Sequence, residues 1–214
     1  MFSGIIFERL IHYCDLKDLL PESQAGGRRG YSTVDNIFCL QSLVQKYLSK
    51  KSGRFYILFV DFSKAYDSVN RSKLWEVLIQ NDLKGKILDI IQSMHKDVLA
   101  AVKFDRNKIT DYFRCMNGVK QGCVLSTLLF SMYVSKLESI FISQGMPGIQ
   151  ILPNDVSVFM LMYIDDICIF SDNPRDLQKK LDLLDNYCRE WGLQVNTNKT
   201  KIIVFRNGGI TLAC

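Results

Sequence analysis

Apolar and polar positions along this chain fall into blocks whose period switches between helical and extended. Residues 1–20 set Ile5, Ile6 and Leu10 on one side, which predicts a short amphipathic helix. A Gly-rich basic loop follows at 21–30 and ends in Arg28-Arg29-Gly30. Ser32 or Thr33 can cap the next helix, where Val34, Ile37, Phe38, Leu40, Val44, Tyr47 and Leu48 recur at near-helical spacing. Lys50-Lys51-Ser52-Gly53 stops it. The unbroken apolar run FYILFV at 55–60, bounded by turn residues, predicts a strand buried on both faces.

Helices are predicted over 71–80 and 86–96, the second with Ile87, Ile90, Ile91 and Met94 at i, i+3, i+4 and i+7. Segments 98–104 and 109–115 flank Asp105-Arg106-Asn107, a hairpin signal. A loop at 116–123 leads into one long helix over 126–143, which 145–148 breaks. A short strand is expected at 149–152, then strands 156–163 and 167–170 separated by Asp165-Asp166. Pro174 opens a helix ending near Gly192, and 201–205 is the final strand. Strands interleaved with helices and hairpin signals predict an α+β fold, an antiparallel sheet with helices mainly on one face. No repeat, low-complexity stretch or linker divides the chain.

The 214 residues are 48% hydrophobic and 23% charged, the balance of a soluble globular chain able to bury a core. A net charge of +5 is compatible with an anionic partner without requiring one. The seven cysteines form no C-x-x-C pair and no zinc-ligand spacing with His12 or His95. They suit reduced thiols in an intracellular protein, so no disulfide-linked partner is expected. No signal peptide is evident, and the apolar runs at 55–60 and 156–164 are too short to span a bilayer, so no membrane role is expected.

The candidate chemistry lies in three carboxylates. Asp61 ends FYILFV, and Asp165 and Asp166 interrupt FMLMYIDDICIF. Buried carboxylates need compensation, and a hairpin apex can turn two neighbouring acids towards one site. Hard oxygen ligands of this kind suit magnesium. Taken alone, Asp165-Asp166 reads as an acidic hairpin turn. Its company changes that.

FVDFSKAYDSVN (59–70), GVKQGCVLS (118–126), YIDD (163–166) and WGLQVNTNKTK (191–201) follow one another in the order and approximate spacing of the reverse-transcriptase palm. QAGGRRGYST (24–33) resembles the segment preceding the palm in enzymes of non-LTR retrotransposons. The resemblance covers nearly the whole chain. It implies an antiparallel palm sheet backed by helices over 54–214, with partial helical fingers over 1–53 and no thumb. It implies RNA-directed DNA polymerase activity, in which a primer 3′-hydroxyl attacks a dNTP held by two Mg²⁺ ions, with Mn²⁺ a possible substitute. The implied partners are an RNA template, a DNA primer and dNTP.

Residue by residue, the resemblance makes Asp61, Asp165 and Asp166 the catalytic acids and metal ligands. Tyr66 matches the aromatic gate beneath the sugar, and Gln121 and Gly122 match the loop against nucleotide and template. Lys199 matches the lysine near the departing pyrophosphate, and Arg28 and Arg29 lie in a segment beside the template. The chain begins after the family's first finger strands and ends before its primer-grip hairpin is complete, so the resemblance covers a fragment of the family's domain. Gly27, Tyr31, Thr127 and Ile164 stand where an aromatic, a basic residue, proline and alanine are usual. Two rivals are a non-polymerising mobile-element remnant and a phosphoacceptor receiver domain. The receiver places its paired acids before the single acid, the reverse of the order here.

Overall fold

In the computed structural model, which describes residues 2–51, 53–105, 108–151 and 157–213, the strands form a five-stranded antiparallel sheet and three two-stranded ladders. The N-terminal helices are α1 (Phe2–Lys17) and α2 (Thr33–Leu48), followed by β1 (Arg54–Val60). Next come α3 (Ala65–Ser68), α4 (Arg71–Gln80) and α5 (Lys86–His95). A small arm holds β2 (Leu99–Ala100), β3 (Lys103–Asp105), β4 (Lys108–Ile109) and β5 (Phe113–Arg114). Then α6 (Val124–Val134) and α7 (Lys136–Ser143) precede β6 (Ile149–Gln150), β7 (Ser157–Val158), β8 (Met160–Tyr163) and β9 (Asp166–Ser171). The chain closes with α8 (Pro174–Trp191), β10 (Lys201–Arg206) and β11 (Gly209–Ala213).

The main sheet runs β11-β10-β1-β9-β8, so FYILFV is its central strand. Alternation divides that strand between two cores. Leu58 and Val60 join α1, α4, α5, α6 and α8 in the larger core, while Phe55 and Ile57 meet Leu43 and Tyr47 of α2 on the other face. The predicted burial on both faces is therefore observed, with Phe55 and Ile57 at 0% exposure and Val60 at 3%. Most helices lie on one face, as expected for this α+β class.

Helix starts follow local chemistry. The Asp35 carboxylate accepts from the Ser32 N–H at 2.7 Å before α2, and the Asn173 side chain accepts from the Asp176 N–H at 2.8 Å before α8. Gly192, with φ of 72°, ends α8.

Several expectations need correction. Ile5 is exposed on α1, whose buried side is Ile6, Leu10, Ile11 and Cys14. On α5 the buried stripe is Leu88, Ile91 and His95, so Ile91 alone of the expected face is buried, with Ile87, Ile90 and Met94 flanking it. The single helix over 126–143 turns at Ser135, whose Oγ donates to the Ser131 carbonyl at 2.6 Å, back-bonding of a kind that bends helices. Val124–Ser143 is long and apolar enough to cross a bilayer, but 67% of that stretch is buried in the fold, which marks a core helix. The strand expected at 156–163 is broken at Phe159 into β7 and β8.

The predicted hairpin over 98–115 forms two short ladders, β2 with β5 and β3 with β4, with a register shift between Lys103 and Asp105. Its expected turn at Arg106-Asn107, and residues Leu152 and Val156 of neighbouring strand expectations, lie outside the described residues. Strand β11 had no clear apolar signal. It pairs with β10 across a turn at Asn207-Gly208 and leaves Ile210 and Leu212 exposed.

Candidate active site

Strand pairing brings the two acidic segments together. β1 and β9 are antiparallel with Val60 opposite Ile167 at the end of the ladder, so Asp61 leaves β1 beside the start of β9 at Asp166. β8 and β9 form a hairpin with Tyr163 opposite Asp166, leaving Ile164-Asp165 as a two-residue turn. Asp165 is half-buried and Asp166 exposed. Burial raises the Asp165 pKa, opposed by its own backbone hydrogen bond, and the charges of Asp166 and Asp61 raise it further. All three carboxylates thus share one electrostatic neighbourhood.

The segment after Trp191 is fastened to Asp61. Its carbonyl accepts from the Asn196 N–H at 2.7 Å, and its N–H donates to Thr200 Oγ1 at 3.1 Å. Phe62 and Val195 form an antiparallel bridge. This attachment brings the Lys199 Nζ to 3.7 Å from Asp61 Oδ1.

Tyr66 lies on α3, where its ring stacks on Phe130 with centroids 5.3 Å apart. Burial raises its pKa against a hydrogen bond with Thr127, and the Asp165 charge adds to the rise. Loop 116–123 is bonded to the same turn, since the Gly118 N–H donates to the Val69 carbonyl and the Val119 N–H to the Tyr66 carbonyl, each at 2.8 Å. Gly118 has φ of 87°, and a Cβ there would sit 2.9 Å from Asp67 Cα. Gln121 donates to Asp67 Oδ2 at 3.2 Å, and Gly122 faces open space.

Arg28 is turned into its own loop. Its guanidinium donates to the Pro21 carbonyl at 3.1 Å and to Glu22 at 3.2 Å, and lies 4.2 Å over the Tyr31 ring. Arg29 pairs with Glu8 on α1.

Sequence reasoning assigned nothing to Gln24, Gly26 or Ile164, which surround the turn bearing Asp165. Ile164 has φ of 62°, a left-handed conformation that a β-branched residue adopts at a cost of about 1–3 kcal/mol. Gln24 is fully buried against it and Gly26 packs on it. The available signal was the opening Gln of QAGGRRGYST, quoted only for resemblance.

Three carboxylates are the hard donor set that Mg²⁺ and Mn²⁺ favour, and mutual repulsion at Asp165 is what a cation would relieve. Donor chemistry and convergence therefore fit a divalent ion. The side chains as they stand are not closed around a single point: among the described residues no group of three or more His, Cys, Asp or Glu is placed to hold an ion. A small cleft of about 190 Å³ runs between α2 and the sheet, with Phe59, Leu161, Cys168, Tyr163 and Asp166 among its lining. Larger clefts of about 490 and 610 Å³ contain none of the three acids.

A family model for reverse transcriptase (RNA-dependent DNA polymerase) matches residues 4–210. A probable RNA-directed DNA polymerase from transposon BS of Drosophila melanogaster is 27% identical over 94% of this chain, which spans 22% of that protein. The Pol polyprotein from the type-1 retrotransposable element R2 of Popillia japonica is 24% identical over 96% of the chain, which spans 29% of that protein. Among solved structures, telomerase from Candida tropicalis in complex with a telomeric RNA fragment superposes with a TM-score of 0.68 at 19% identity, covering 97% of this chain and 34% of that one. Telomerase from Candida albicans gives 0.66 at 16%, covering 94% and 34%. The chain is therefore similar in fold to these telomerases and spans about a quarter of the curated relatives' length.

Proposed function

This chain belongs to the reverse transcriptase (RNA-dependent DNA polymerase) family, and from that premise we propose that it is the nucleotidyl-transfer core of a non-LTR retrotransposon polymerase. It would add dNTPs to a DNA primer on an RNA template, inside the cell, with residues 1–53 as partial fingers and 54–214 as palm. The observation that carries this reading is the β1–β9 pairing, which aligns Asp61 with the hairpin bearing Asp165 and Asp166.

The family uses divalent metal ions, and we assign two Mg²⁺ to Asp61, Asp165 and Asp166. When bound, such ions lower the pKa of the attacking hydroxyl and neutralise the phosphates. The chain's own residues do the rest. The carboxylates orient the reacting groups from two strands held in fixed register. Lys199, beside Asp61, offers positive charge to the phosphates and to the departing pyrophosphate. Tyr66, fixed by its stack on Phe130, presents a rigid ring to the sugar and excludes a 2′-hydroxyl. Gln121, Gly122 and Arg28 border nucleotide and template, Arg28 after exchanging its contacts with Pro21 and Glu22 for a phosphate. The base is chosen by template pairing, and the duplex is gripped by shape and charge.

The experiment is primer extension on an RNA template by the natural protein that carries this sequence. Metal-dependent extension is expected, with Asp165→Asn lowering turnover at least about 10²-fold, or about 2.7 kcal/mol of barrier. Extension that survives the substitution would contradict the reading.

A further inference from the structure

The loop between α1 and α2 is woven into the hairpin that carries the acids. The Met162 N–H donates to the Ser23 carbonyl at 2.7 Å, and the Ala25 N–H to the Met162 carbonyl at 2.9 Å, so 23–25 runs beside β8 as a short parallel partner. Between those two bonds Gln24 points inward and is 0% exposed.

Both ends of its side-chain amide are bonded. Oε1 accepts from the Ile164 N–H and from the Gly26 N–H, each at 2.9 Å, while Nε2 lies 3.4 Å from the Ile164 carbonyl. Two N–H donors converging on one atom fix which end of the amide is oxygen. The residue so bracketed is the one held at φ of 62°. Gly26 closes the contact from the other side, because a Cβ there would lie 2.4 Å from the Ile164 nitrogen and 2.5 Å from its Cγ1. The Gly26 carbonyl in turn accepts from Ser131 Oγ of the core helix α6 at 3.1 Å.

An unbroken line of contacts therefore joins α6 to Gly26, Gln24, Ile164 and the adjoining Asp165. A two-residue hairpin turn that takes a left-handed first residue normally uses glycine there. With isoleucine in that place the turn needs an external hold, and the buried amide supplies hydrogen bonds that water cannot. We propose that Gln24 is a positioning residue for Asp165: it holds the Ile164 backbone in its left-handed shape and so sets where the Asp165 carboxylate stands for metal binding. This rests on the reading of Asp165 as a metal ligand, and it adds a residue outside the acidic motifs to the machinery.

Gln24→Met keeps the size and apolar bulk of the side chain and removes its hydrogen bonds. Two readouts are needed, amide hydrogen exchange at Ile164 and Mn²⁺ affinity measured by electron paramagnetic resonance, both on variants whose circular dichroism matches wild type. The expected result is Ile164 exchange faster by at least about tenfold and Mn²⁺ affinity lower by about tenfold or more. Ile164→Gly, which needs no hold, should bring the affinity of the double variant back to within about threefold of wild type. If Gln24→Met alone does not fold, the double variant must, because the strained residue has been removed.

Unchanged exchange in Gln24→Met, unchanged Mn²⁺ affinity where wild-type affinity depends on Asp165, or no rescue by Ile164→Gly would each overturn the proposal. Asp165→Asn separates this from failure of the metal reading. Should it bind Mn²⁺ like wild type, the metal assignment falls and with it the positioning role for metal, while exchange at Ile164 still decides whether Gln24 holds the turn.

Discussion

The Lys180 ammonium, fully buried on α8, donates to the Phe170 carbonyl at 2.6 Å, on the same strand that begins with Asp166. It also donates to the Pro147 carbonyl at 2.8 Å. Among the described residues no carboxylate forms an ion pair with it. Burial pushes its pKa from 10.5 down to about 8, opposed by the charges of Asp176 and Asp172.

A stability–pH profile should expose this lysine. Between about pH 8 and 10.5 the unfolded chain binds more protons here than the folded one, so stability rises with pH across that window. The burial penalty is complete below about pH 8 and gone above 10.5. In urea unfolding, wild type should gain about 2–3 kcal/mol relative to Lys180→Met between pH 7 and pH 10. A difference that does not change with pH would show the ammonium to be unpenalised.

Two glycines in one loop should respond differently to alanine. Gly118→Ala adds left-handed strain and drives a Cβ to 2.9 Å from the backbone of Asp67, so a loss of about 2–4 kcal/mol is expected. Gly122→Ala, at φ of 75° in open space, carries only the strain, about 1 kcal/mol. Equal denaturation midpoints for the two would mean that the contact with α3 is not rigid.

Tyr66→Ala should relax sugar selection. Removing the ring should raise rNTP incorporation relative to dNTP by about tenfold or more, about 1.4 kcal/mol, in the natural protein that carries this sequence. A constant ratio with persisting extension would leave Tyr66 as a packing partner of Phe130 and nothing else.

Local patterning carried much of the fold because the strongest signals coincide with the deepest burial. FYILFV became the central strand, and Pro174 with Gly192 bounded α8 as expected. Errors arose where local pattern competes with tertiary contact. The spacing of Ile87, Ile90, Ile91 and Met94 describes an apolar face but does not say which part of it meets the core, and the break at Ser135 leaves no mark in the apolar pattern. At the site, motifs singled out the acids, Tyr66 and Lys199 as candidates, and the structure sets Lys199 3.7 Å from Asp61. The hold on Ile164 was hidden because a glutamine in a loop has no signal until residues 140 positions apart are brought together.

The central claim is that Asp61, Asp165 and Asp166 form the divalent-ion centre. Mn²⁺ titration of the 214-residue chain, followed by electron paramagnetic resonance for wild type, Asp61→Asn and Asp165→Asn, tests it most directly. Removing one charged oxygen donor from so small a ligand set should cost each variant most of its affinity, at least about tenfold. Mg²⁺ should displace Mn²⁺ from wild type. Equal Mn²⁺ binding by wild type and both variants, in chains that remain folded, would contradict the account.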